Sequence, residues 1–212
     1  MKLIEALAAS AAQVFNNTKR GITMNKPLFL FVGKSASGKT SIANMLESDG
    51  YTQIQSYTTR PPRYDGEVGH VFISEEEYEK LENIMAYTYY NNYHYCTTLE
   101  QVQNADLYVV DVPGVATLLN NYSLLNRNVC IVYFDSNVCN RIKRMSERGD
   151  GDSQIIERLL TDESNDWVKQ LKQIPYISFG HVGLKIIDAN LDLQDVYSTV
   201  KDFIQKETNK DE

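Results

Sequence analysis

Short apolar runs punctuate this chain at wide intervals. Residues 27–32 (PLFLFV) are apolar throughout and end at Gly33. Residues 107–110 (LYVV) end at Asp111, residues 129–134 (VCIVYF) end at Asp135, and residues 184–187 (LKII) form a further run. Runs this short, with little polar alternation, predict strands buried on both faces, as in a parallel sheet. Helical spacing fills the intervals, over residues 41–47, 115–120, 138–147, 154–171 and 193–206. Buried strands alternating with helices predict an α/β fold on a parallel sheet.

Residues 51–100 have another character. They are rich in Tyr, Thr and polar residues, and carry a Pro-Pro pair and an Asp-Gly. Residues 85–95 (MAYTYYNNYHY) place aromatic stretches on both sides of Asn91-Asn92, which predicts a hairpin. A small antiparallel unit is therefore expected within the α/β core. In residues 1–15, Leu3, Ile4, Leu7, Ala11, Val14 and Phe15 recur at helical spacing, and Glu5 interrupts any signal-peptide core, so an amphipathic helix is predicted. Residues 16–25 read as a linker. The final residues, KETNKDE, read as a frayed end.

The chain has 212 residues and a formal net charge of −7. That length suits one embellished domain. An acidic chain lacks the broad basic face of a general nucleic-acid binder, and no apolar run is long enough for a membrane span. Cys96, Cys130 and Cys139 are odd in number and lack zinc-site spacing, so reduced thiols in a cytoplasmic setting are expected. His70, His94 and His181 are too scattered to suggest a metal site.

The chemistry concentrates at residues 33–40. GKSASGKT matches G-x-x-x-x-G-K-[ST] in full, between a predicted strand and a predicted helix. Gly33 and Gly38 let the backbone turn tightly. The N–H groups of Ser35, Ala36, Ser37, Gly38, Lys39, Thr40 and Ser41 can then cradle phosphate oxygens at the positive end of the helix. Lys39 supplies a point charge to the β and γ oxygens, and Thr40 a hydroxyl to Mg²⁺. ATP with Mg²⁺ is the expected ligand. Asp111, ending a strand, is a candidate to hold the metal directly or through water. Pro113 and Gly114 follow it, so a plain turn role competes.

Arginines form two groups. Arg60 and Arg63 lie in SYTTRPPRYDGE; Arg141, Arg144 and Arg148 lie in RIKRMSERG, with Arg158 beyond. Arg141, Arg144 and Arg148 share one helical face by spacing. Guanidinium groups suit the charge that develops on a transferring phosphoryl group, and a phosphorylated acceptor needs cations on both sides of the reaction. Such an acceptor is already an anion and needs no strong general base.

Residues 56–63 (SYTTRPPR), followed by Gly66-Glu67, resemble the S-x-T-T-R-x-P-R-x-G-E stretch of the guanylate kinase family, with one extra residue before the glycine. The resemblance spans about residues 27–205. It implies a P-loop NTPase three-layer α/β fold with a parallel sheet, an inserted antiparallel acceptor-binding unit and a helical lid. The implied boundaries are a helical extension at 1–24 and a domain at 25–212. Within the domain, the core covers about 25–55, 105–140 and 172–212, the acceptor-binding unit about 56–104 and the lid about 141–171. It also implies roles by position. Ser56, Arg60, Arg63 and Tyr95 would hold the acceptor phosphate, and Thr97 would contact the base. His70 stands near a position often taken by tyrosine. Arg144 and Arg148 would close on ATP phosphates, and Arg158 would approach the transferring group, making Lys39, Arg60, Arg144, Arg148 and Arg158 the catalytic set.

The sequence departs from the family where the base is read. A glutamate usually stands nine residues before the tyrosine, where this chain has Ala86. The turn Asp111-Val112-Pro113-Gly114 is short and lacks a second reading aspartate. The expected activity is phosphoryl transfer from ATP to GMP or dGMP, in a monomer or homodimer. Another nucleoside monophosphate, a phosphorylated sugar such as ribose 1,5-bisphosphate, or a non-catalytic binding module are the alternatives.

Overall fold

In the computed structural model, which describes residues 25–63 and 65–209, β1 (Asn25–Val32) lies inside a parallel sheet. Its neighbours are β6 (Leu107–Val109) and β7 (Arg127–Asp135), and β8 (Gly183–Asp188) completes the order β6-β1-β7-β8. The amphipathic helix expected near the N-terminus lies outside the described residues.

β1 explains why its sequence shows no alternation. Leu28, Leu30 and Val32 face one buried cluster, while Phe29 and Phe31 face another. The first cluster is closed by Val115, Leu118 and Leu119 of α4 (Val112–Asn120) and Leu171 of α7 (Trp167–Gln173). The second is closed by Ile42 and Leu46 of α1 (Lys39–Ser48) and by Val196, Val200 and Ile204 of α9 (Leu193–Thr208). Helices therefore cover both faces, giving three layers. Burying each of these Leu or Phe side chains contributes about 1.5–3 kcal/mol.

The inserted unit is a second sheet, ordered β3-β2-β5-β4. It comprises β2 (Ser56–Thr58), β3 (His70–Phe72), β4 (Ile84–Tyr90) and β5 (Tyr93–Thr98). The expected hairpin forms at Asn91 and Asn92, whose φ values of 48° and 65° fit the left-handed turn that matches strand twist. The unit is not wholly antiparallel, because β2 and β3 run parallel. The short helices α2 (Glu75–Tyr78) and α3 (Leu99–Asn104) flank the hairpin strands in sequence.

After β7 come α5 (Val138–Glu147) and α6 (Asp152–Glu163). The single helix expected over residues 154–171 is instead two, α6 and α7. Local polar groups break it: Ser164 Oγ donates to the Thr161 carbonyl, and Asp166 caps α7 by accepting from the Lys169 N–H at 3.0 Å. The one-turn helix α8 (Pro175–Ser178) leads on to β8. Among the described residues, no helix is long and apolar enough to cross a membrane, and no cysteine is in a disulfide.

Candidate active site

The P-loop leaves the C-terminal end of β1. Gly33 is packed so closely that a Cβ would sit 2.7 Å from the Phe134 carbonyl oxygen. Gly38, at φ 95°, is the N-cap of α1 and offers no side-chain cap. The first N–H groups of α1 are therefore available to an anion. Ser37 is buried, while Thr40 and Ser41 are exposed at the helix start. Lys39 folds back over the loop, its Nζ donating to the carbonyls of Gly33 (2.5 Å) and Lys34 (2.9 Å) and to Ser37 Oγ (3.2 Å). Burial pulls its pKa down to about 8; Asp162 opposes that shift, and Arg141 and Arg148 add to it. A phosphate arriving here would meet an ammonium group with no carboxylate in hydrogen-bond contact among the described residues.

The arginines of α5 do not act as one face. Arg141 is fully buried and pairs with Asp162 at 2.8 Å and with Glu163, both on α6. It belongs to the packing between the two helices, a burial that the shared helical face did not reveal. Arg144 reaches the P-loop, donating to the Ala36 carbonyl (3.3 Å), and to the Ala189 carbonyl after β8 (2.7 Å). Arg148 pairs with Asp150, and Arg158 Nε lies 3.8 Å from the same carboxylate. Hydrogen bonding from Arg148 holds Asp150 below its usual range, helped by the charges of Arg158 and Arg63. Arg63 is itself lowered, by burial first and then by Arg60 and Arg158. Arginines of α6 and of the inserted unit thus share one electrostatic neighbourhood.

Strand register places Ser56, Thr58, His70, Phe72, Ala86, Thr88, Tyr95 and Thr97 on one face of the inserted sheet. Thr88 donates from that face to Asp111 Oδ1 at 2.7 Å, which ties it to the end of β6. Ser56 Oγ and His70 Nδ1 are hydrogen-bonded at 3.0 Å, and the His70 and Tyr95 rings meet edge-on at 5.8 Å. Burial holds His70 below its usual pKa, and Arg60 adds to the effect. Arg60 sits over the Phe72 ring and is gripped by Glu67. Its buried Nε has no hydrogen-bond partner among the described residues. Thr97 is fully buried and donates to Gln101 Oε1 at 2.7 Å, directly across the strand pair from Ala86.

Asp111 is the N-cap of α4, its Oδ1 accepting from the Gly114 N–H at 2.8 Å as well as from Thr88. No group of three His, Cys, Asp or Glu side chains suited to a metal occurs among the described residues. That donor set fits Mg²⁺ only as an ion carried in with substrate phosphates and water, to which Thr40 and Asp111 could add oxygens.

A groove of about 380 Å³ opens beside the P-loop, lined by Ser37, Gly38, Ser41, Arg144, Asn190 and Leu193 among others. Asn190 is held rigidly there, accepting from the Asn137 N–H at 2.8 Å and donating to Asp188 at 2.8 Å. Sequence reasoning had Glu67 only as the end of the family-like stretch, with no role, and missed Asn190 and Asp162. Of these two, only Asp162 left a signal, four residues after Arg158 and so on the same side of α6.

No family model matches the sequence, and no curated protein sequence matches it. Solved structures do. A guanylate kinase from Anaplasma phagocytophilum superposes with a TM-score of 0.51 at 12% identity, covering 87% of this chain and 87% of that one. A gluconokinase from Sinorhizobium meliloti 1021 covers 88% of this chain and 96% of its own at 14% identity, with a TM-score of 0.48. The layered sheet, the loop at the end of β1 and the first of these likenesses agree: the chain has the P-loop NTPase fold.

Proposed function

We propose that this chain is a cytoplasmic P-loop kinase that transfers the γ-phosphoryl group of ATP, with Mg²⁺, to GMP or dGMP. The observation that carries this reading is the meeting of two arginine sets. Arg63 of the inserted unit and Arg148 and Arg158 of the helical segment all act on Asp150. One set suits a donor phosphate and the other an acceptor phosphate. In this reading residues 56–104 bind the acceptor, residues 141–171 are the lid, and the rest of 25–212 is the core.

The residues divide the work. Gly33 and residues 35–41 wrap the donor phosphates, and Lys39 turns from its loop carbonyls to the β and γ oxygens. The groove at Asn190 and Arg144 takes the rest of the donor nucleotide. Ser56, Arg60, Arg63, His70 and Tyr95 hold the acceptor phosphate, the unpartnered Arg60 Nε giving it one ready donor. An acceptor phosphate oxygen attacks the γ phosphorus in line, the bond to the β–γ bridging oxygen breaks, and ADP leaves. Arg144, Arg148 and Arg158 offset the charge that spreads over the equatorial oxygens. Bound Mg²⁺ supplies further neutralisation of the phosphate oxygens.

A second reading shares everything except the acceptor. Ala86 is fully buried and apolar where a base-reading carboxylate would be expected, which favours an acceptor other than guanylate. ADP formation with ATP, Mg²⁺ and a panel of nucleoside monophosphates plus ribose 1,5-bisphosphate separates the two. Fastest turnover with GMP or dGMP supports the first reading. Turnover with another acceptor alone replaces it, and no ATP binding at all removes both.

A further inference from the structure

The P-loop already holds an anion of the protein's own. The Ser35 backbone N–H donates to Oδ2 of Asp162, on α6, at 2.8 Å. The same oxygen accepts from Arg141 Nη1 at 2.8 Å, and Asp162 is only 4% exposed. Next to it, Glu163 bridges to Lys34 at 3.0 Å and to Arg141. Two consecutive carboxylates of α6 thus grip two consecutive residues of the P-loop, with Arg141 of α5 binding both.

A packing strut would need no backbone amide from a phosphate-binding loop. Ser35 lies in the glycine-bounded segment whose amides suit anions, and a carboxylate is the protein group closest to a phosphate oxygen in charge and geometry. Among the carboxylates acting on Lys39, Asp162 acts most strongly. The arrangement recurs nearby, where Asp150 occupies Arg148 and Arg158. Lys39 and Arg144 rest on carbonyl and hydroxyl oxygens, but Lys34, Arg148 and Arg158 are engaged by internal carboxylates. Each must be surrendered before a polyphosphate can take its place, and a second anion beside Asp162 would be repelled.

We propose that Asp162 is an internal competitor for the phosphate tail, latching α6 onto the P-loop until a ligand phosphate displaces it from Ser35. This rests on the P-loop being a phosphate site, as proposed above, and is independent of the acceptor.

The test uses the full chain and inorganic tripolyphosphate. Asp162→Asn keeps shape and one acceptor oxygen while removing the charge. Titration calorimetry should show tripolyphosphate binding about ten-fold tighter than in wild type, equivalent to about 1.4 kcal/mol. Without ligand, hydrogen exchange in α6 should also quicken. Equal or weaker binding by the variant overturns the latch while wild-type binding keeps the P-loop reading intact. Absence of binding in both chains overturns the two together. The wild-type chain gives a second measurement free of folding effects. Saturating tripolyphosphate should raise exchange at residues 160–163, and unchanged or slower exchange there overturns the latch.

Discussion

Glu67 closes a fork on Arg60: its two carboxylate oxygens accept from both terminal guanidinium nitrogens, at 3.1 and 2.9 Å. The pair is nearly sealed, with side chains 9% and 6% exposed. Glu67 also accepts from the Arg63 N–H at 2.6 Å, so one carboxylate orients both arginines of the TTRPPR turn. Glu67→Ala should leave a buried guanidinium uncompensated and cost about 3 kcal/mol in urea unfolding. Glu67→Gln should keep more of the fold and raise the acceptor KM roughly ten-fold through lost aim. ATP affinity should not change in either variant. A loss confined to ATP binding would remove Glu67 and Arg60 from the acceptor side.

Among the described residues, the Lys39 ammonium donates hydrogen bonds only within its own loop, to the Gly33 and Lys34 carbonyls and Ser37 Oγ. Lys39→Ala should therefore leave the circular dichroism spectrum and melting cooperativity intact. It should lower phosphoryl transfer by roughly 10²–10³ or more, the size of one lost preorganised charge donor. Turnover at the wild-type rate would contradict the assignment of this loop to the donor phosphates.

Arg141 is a structural cation. It is buried between α5 and α6 with two carboxylates, and its Nε has no partner among the described residues. Arg141→Ala should cost about 3–5 kcal/mol, the range for breaking a buried pair by removing one member. Arg148→Ala, at an exposed pair, should cost under about 1 kcal/mol. Urea unfolding of the two variants side by side measures the contrast.

These contrasts bear on what the sequence revealed. Strands buried on both faces are written as apolar runs, so β1, β6, β7 and β8 were legible, as were the hairpin at Asn91-Asn92 and the P-loop. β2 and β3 have three residues each, too few to show a period. Helical spacing correctly grouped Arg141, Arg144 and Arg148 but carries no absolute direction, so the burial of Arg141 was hidden. The grip of Asp162 on Ser35 joins residues 127 apart and leaves no local pattern at all. The loop motif is local and readable; the carboxylate that engages it is brought there by tertiary structure.

His70 couples the inserted unit to pH. Burial is the main cause that holds its pKa below the usual histidine value, and the Arg60 charge adds to it; Ser56 and Glu67 oppose. The sign follows from where the proton binds. Below about pH 6.5 the unfolded chain takes up a proton that the folded chain refuses. The His70 contribution is therefore full above that pH and is lost as pH falls through the folded value. His70→Gln keeps a hydrogen-bonding side chain beside Ser56 but cannot titrate. Urea unfolding at pH 7.5 and pH 5 should show a smaller loss in the variant than in wild type, the difference being about 1.4 kcal/mol for each pH unit of depression. Because other groups titrate in both chains alike, only the difference between them is read. Equal losses would mean that His70 charges freely in the folded protein, which its burial and the nearby Arg60 charge argue against.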